Sequence, residues 1–132
     1  MDLRTHYLGM ELANPLVPSA SPLSRSIDLS RRLEDAGAPA LVMYSLFEEE
    51  LLQDEQPSQY LEHQDIGHPE ADSFLPLHGD LGAGLDNYLE QLTQLKSALD
   101  IPVIASLNGI SRESWIDHGR ELQAAGADAL EL

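Results

Sequence analysis

With 132 residues the chain has room for one compact domain and not for two. Its 7 basic against 23 acidic residues would repel a polyanionic nucleic acid over most of the surface, and the lack of cysteine excludes disulfides, thiolate metal sites and a cysteine nucleophile among these residues. The apolar runs are far too short to span a bilayer and no signal-peptide core follows Met1, so a soluble, cytoplasmic protein with neither nucleic-acid nor membrane partners is expected.

Residues 3–12 read as a short hairpin of two extended segments, with Gly9 supplying the turn. After Asn14 and Pro15, the brief apolar run Leu16, Val17, Pro18 reads as the first buried strand, and Ser19, Ala20 and Ser21 follow it. Small residues at a strand's end let a ligand approach the backbone. From Ser26 the pattern turns helical, with Leu29, Leu33 and Ala36 on one face and Gly37 placed to stop the helix. Residues 40–44 are continuously apolar, as a strand buried on both faces would be.

Ser45 with Glu48 three residues on has the form of a capping box, and Glu49 and Glu50 complete an acidic first turn, so a short helix is expected directly after that strand. Residues 54–84 are polar and rich in Pro, Gly and His, a loop long enough that a substrate lid would be sought in it. Its Gly79, Gly82 and Gly84 do not have the spacing of the dinucleotide fingerprint and read as a loop entering a helix. That helix is the clearest in the chain: Leu85, Tyr88, Leu89, Leu92, Leu95 and Leu99 form one apolar stripe. Residues 101–107 read as a third strand, and Ser111 as the next N-cap. The helix after it is expected to turn Trp115, Leu122 and Ala125 inward, with Gly119 allowing close approach to the sheet, before residues 129–132 begin a fourth strand.

An internal repeat supports the alternation. The junction over residues 33–41 parallels that over 122–130, each carrying a Gly-Ala step between helix and strand. Alternating strands and helices imply a parallel sheet with right-handed crossovers, either doubly wound or closed as an eight-fold barrel.

The order Leu8, Gly9, Leu12, Asn14, Pro15 and the stretch 18–21, followed by 37–45, 102–109 and 126–132, resembles the dihydroorotate dehydrogenase family over essentially the whole chain. The resemblance implies the N-terminal half of a TIM (β/α)8 barrel, with about four parallel strands behind a hairpin that closes the bottom. It implies an FMN-dependent oxidoreductase that oxidises a dihydropyrimidine-like CH–CH bond by hydride transfer to the flavin. Carried over by position, the flavin contacts fall on Ala20, Ser21, Ser45 and Ser106, each at the carboxyl end of an expected strand, where barrel enzymes build their sites. For the serines, local capping is the competing role. Where the family has a lysine beside flavin and substrate, this chain has Tyr44, the implied substrate contact; a phenol does not replace an ammonium in attracting a carboxylate. The resemblance puts the catalytic base and the phosphate grip beyond Leu132.

Other constellations are weaker. His6, His63, His68, His78 and His118 lack a metal-ligand spacing, and the acidic residues of the long loop lack the alternation of a calcium loop, so no metal is expected. A small-molecule substrate is the expected partner. A non-catalytic half-barrel that self-associates as a homodimer, and a barrel of other chemistry, are left open.

Overall fold

The computed structural model describes residues 1–47, 84–109 and 112–132. The acidic triplet Glu48, Glu49 and Glu50, the loop expected over 54–84 up to its last residue, Ser111, and His63, His68 and His78 lie outside them.

Strands β1 (Thr5–Tyr7) and β2 (Met10–Leu12) pair antiparallel, with Thr5 opposite Leu12 and Tyr7 opposite Met10. The two residues between them, Leu8 at φ 49° and Gly9 at φ 78°, both adopt the positive φ of a tight primed turn. Only Gly does so without a Cβ penalty, and Leu8 is a local cost that the pairing offsets.

The run at Leu16 is not a strand, which corrects the expectation of a fourth parallel strand. Pro15 and Pro18 have no amide to donate, the Leu16 amide is taken by the Asn14 side chain at 2.9 Å, and that of Val17 by the Pro15 carbonyl at 3.1 Å. Every donor a ladder would need is absent or consumed locally, and Leu16 is left 76% exposed.

A 3-10 turn, Pro22–Arg25, leads into α1 (Ile27–Asp35), whose N-cap Ser26 accepts from the Leu29 amide at 3.3 Å. Helix α1 ends in a Schellman arrangement: Ala38 N–H bonds Leu33 C=O at 3.1 Å, Gly37 N–H bonds Glu34 C=O at 2.8 Å, and Gly37 sits at φ 97°. Strand β3 (Leu41–Phe47) follows and runs past the expected stop at Tyr44. Ser45 is therefore a strand residue and not a helix N-cap, because residues 45–47 find partners in the neighbouring strand. Then come α2 (Gly84–Ala98), β4 (Val103–Asn108), α3 (Arg112–Ala124) and β5 (Ala129–Glu131). At the end of α3 the Schellman arrangement recurs, with Ala127 N–H to Leu122 C=O at 3.1 Å and Gly126 at φ 103°.

The sheet order is β3-β4-β5, parallel throughout, a βαβ alternation compatible with part of a β/α barrel. One face carries Leu41, Met43, Val103, Ala105 and Leu107 against Tyr88, Leu92 and Leu95 of α2 and Leu122 of α3, as the apolar stripe of α2 predicts. The other carries Ala40, Val42 and Ile104, covered by Leu12 of the hairpin with Val17 and Ala20. Trp115 departs from its expected inward place: it is 43% exposed and folds over Gly109, where a Cβ would overlap the Cδ1–Nε1 edge of the indole. Leu122 and Ala125 do face inward. Gly119 lies against Leu130, and a Cβ there would meet it at an ordinary 3.5 Å.

Candidate functional site at the strand ends

Strand register decides which side chains meet on the sheet face opposite the helices. Leu41 and Val42 pair with Val103 and Ile104, but the next partners are Ser45 with Ser106, so β3 uses three steps where β4 uses two. This is a bulge, and it re-aims side chains. Tyr44 turns toward the helices, packed against the helix-side core with its ring 4.9 Å from that of Tyr88 at 68°. Ser45 turns to the opposite face and meets Ser106, Oγ to Oγ, at 2.9 Å.

A bulge leaves peptide groups without ladder partners, and Tyr88 of α2 fills that gap. Its hydroxyl accepts from Ser106 N–H at 3.0 Å and donates to Ser106 C=O at 3.3 Å. Burial pushes the Tyr88 phenol well above its ordinary pKa, against a smaller opposing effect of the Ser106 backbone, so it stays a neutral donor and acceptor throughout the physiological range. On the β3 side, the Tyr44 amide donates to Ser24 Oγ at 2.7 Å, Ser24 Oγ donates to Ser21 C=O at 2.9 Å, and Gln91 Nε2 of α2 donates to Ser24 C=O at 2.9 Å. The 3-10 turn is thus tied to both the strand and the helix behind it. Arg25, at its end, stacks its guanidinium 4.0 Å above the Tyr44 ring.

The expected site residues divide accordingly. Ser45 and Ser106 are joined directly, and Ala20 lies on the same face of the sheet, lower down, against the apolar cluster of Ala40, Val42 and Ile104. Ser21 is half-buried and spends its carbonyl on Ser24, and its side chain caps nothing. Tyr44 is on the helix side, away from the serine pair. Glu131 of β5, opposite Ser106 in the ladder, accepts from Ser106 Oγ at 3.3 Å. Glu131 and Tyr88 were not singled out in the sequence. Alternation along 129–131 against 104–106 would have placed the carboxylate beside the serine, whereas Tyr88 reads as one more member of an apolar stripe.

His6 and His118 each approach one glutamate, Glu11 and Glu121 respectively, and no cluster of three metal-ligating side chains occurs among the described residues. Two surface depressions among the described residues lie elsewhere, one beside Ile27, Arg31 and Thr93 and one beside Leu23, Leu29 and Arg32. The first is lined by Arg31, Thr93, Gln94 and Ser97 with Ile27 and Ala98, the second by Arg32 with Leu23, Leu29 and Leu33, and neither includes a residue of the serine pair. Among the described residues, the three strands alone do not wall a pocket at their carboxyl ends.

No family model matches the chain. It is 30% identical over 131 residues, 99% of its own length, to the catalytic subunit of dihydroorotate dehydrogenase B (NAD(+)) of Thermoplasma acidophilum. The chain spans 41% of the length of that protein. The likeness supports a relationship to the dihydroorotate dehydrogenases. No helix among the described residues is long and apolar enough to cross a membrane.

Proposed function

We propose that this chain contributes the first flavin-contacting strands of an FMN-dependent oxidoreductase resembling dihydroorotate dehydrogenase, built on a (β/α)8 barrel and acting in the cytoplasm on a small dihydropyrimidine-like substrate. The observation that carries the reading is the meeting of Ser45 and Ser106 on one face at the carboxyl ends of adjacent parallel strands. The likeness to a dihydroorotate dehydrogenase catalytic subunit over nearly the whole chain supports the choice among barrel chemistries.

The residues present fit one edge of a flavin ring. Ser45 offers a half-buried hydroxyl, Ser106 holds that hydroxyl in place from a buried position, and Ala20 adds no bulk where a planar ring would lie over the sheet face. When bound, FMN supplies the redox chemistry, accepting a hydride from a saturated CH–CH bond. The chain's part is to orient the ring and keep its edge dry. Tyr44 and Arg25, stacked on the helix side, fix the bulge that points Ser45 at the ring.

Titration of the purified protein with FMN, followed by flavin fluorescence and visible absorbance, tests this. Saturable one-to-one binding that Ser45→Ala weakens about tenfold is expected, the loss of one good hydrogen bond. A protein that neither carries nor takes up flavin would end the proposal.

A further inference from the structure

Two registers are open to the second half of β3, and the apolar pattern separates them only weakly. In the one observed, Met43 and Tyr44 are fitted against the single residue Ala105 of β4. Tyr44 and Leu46 turn to the helices, Ser45 lies on the opposite face, and Phe47 is left 42% exposed. A regular ladder would set Tyr44 opposite Ser106 and exchange the faces of residues 44–47. Ser45 and Phe47 would go to the helices, and Tyr44 and Leu46 to the face where Ser45 now meets Ser106. Each register buries one of Leu46 and Phe47 and exposes the other, so hydropathy decides little. The polar contacts discriminate. The Tyr88 hydroxyl holds both the amide and the carbonyl of Ser106, at 3.0 and 3.3 Å, and Ser24 Oγ holds the Tyr44 amide at 2.7 Å. These bonds take up main-chain groups at the bulge, where an extra residue interrupts the ladder.

We infer that Tyr88 is the positioning residue of the strand-end site: its hydroxyl, with the Ser24 hydroxyl as a second tie, selects the bulged register and so presents Ser45, and not Tyr44, on the face opposite the helices. Tyr88 packs on the helix side of the sheet and acts on that face through the Ser106 peptide groups. Without the hydroxyl, β3 closes into the regular ladder, and the serine pair is replaced by Tyr44 beside Ser106. The inference deepens the flavin-site reading and rests on it for what the site binds. The register itself is independent of any ligand.

The chain has no cysteine, so a single introduced thiol reports which way its position faces. Ser45→Cys and Leu46→Cys are each made in the wild-type protein and in Tyr88→Phe, which removes the hydroxyl and keeps the ring against Tyr44. Alkylation by iodoacetamide under native conditions is followed by mass spectrometry. With Tyr88 in place, the half-buried position 45 is expected to react about tenfold faster than position 46, which is 4% exposed. In Tyr88→Phe that ratio should fall about tenfold, with position 45 slower and position 46 faster. General loosening of the fold would accelerate both. An unchanged ratio, or two rates that rise together, overturns the inference. Ser24→Ala, expected to lower the same ratio about threefold, decides the outcome if Tyr88→Phe shows no folded signal by circular dichroism. An unchanged ratio in Ser24→Ala then overturns the inference equally. None of these rates needs flavin, so a separate FMN titration tells the failures apart. A shifted ratio in a protein that takes up no FMN removes only the flavin reading, and FMN uptake with an unshifted ratio removes only the role of Tyr88.

Discussion

The two ends of the parallel sheet are built from the same strands and spend their polar groups differently. At the amino end everything is closed off. Asp128 accepts from the Val103 amide at 2.8 Å and from Lys96 Nζ at 2.6 Å, Glu34 accepts from the Asp100 and Ile101 amides at 2.7 and 3.0 Å, and Asn14 donates to the Gly37 carbonyl at 3.0 Å. Carboxylates there cap backbone donors that no strand or helix satisfies. At the carboxyl end the strand register is broken by a bulge, a tyrosine from a helix replaces ladder bonds, and two serine hydroxyls from adjacent strands meet. One end is closed by side-chain caps and the other brings polar side chains of adjacent strands together, the division expected between the two faces of a barrel.

The largest expected effect comes from merging the two strategies at their most buried point. Tyr88→Phe removes the partner of both Ser106 peptide groups and should cost roughly 2–4 kcal/mol, read as a lower denaturation midpoint in urea with an unchanged slope. A loss below about 0.5 kcal/mol would mean that the bulge is not held by the phenol. The same residue predicts an alkaline limit. Because burial raises the Tyr88 pKa in the folded protein, its contribution is complete below the unfolded tyrosine value of about 10 and is lost as pH rises beyond it. Thermal midpoints should fall above that pH more steeply in wild type than in Tyr88→Phe.

At the amino end, Asp128→Ala strands the Val103 amide and should cost about 1–3 kcal/mol, while Lys96→Ala, which removes only a half-exposed ion-pair partner, should cost about 0.5 kcal/mol or less. Equal losses from the two would show that the ion pair and not the amide cap matters. Gly37→Ala and Gly126→Ala each force a side chain to positive φ, into open space at Gly37 and an ordinary 3.7 Å contact with Lys96 at Gly126, and should cost about 1–2 kcal/mol apiece, alike because the two junctions are alike. Smallest of all, Ser45→Ala should shift stability by under about 0.5 kcal/mol while weakening flavin binding, which separates the end that binds from the end that folds.

The repeated junction was legible because it is local. A leucine two residues before the last helical residue, a glycine at positive φ and an alanine after it complete their hydrogen bonds within six residues, and no tertiary partner is needed. The stripe on α2 and the apolar run of β4 were legible for a related reason: periodicity is a property of the segment itself. The run at Leu16 misled because hydropathy does not register where amide protons go, and Asn14, Pro15 and Pro18 leave that segment none to offer a neighbour. Trp115 misled because a large aromatic on a helix suggests core, while its glycine partner six residues earlier gave it a surface to cover outside the core.

What the sequence determined by itself is the alternation of helices and strands, their stops and the parallel sense that this alternation implies, all consequences of patterns within one segment or between neighbours in the chain. Tertiary structure alone decided how far β3 runs, that one extra residue enters between Val42 and Ser45, and that Tyr88 closes the gap. The reason is that a bulge belongs to a pair of strands 61 residues apart and not to either of them. Its single-residue offset sends Tyr44 to the helices and Ser45 to the strand-end face, so the position of the candidate site depends on a register that neither segment encodes alone.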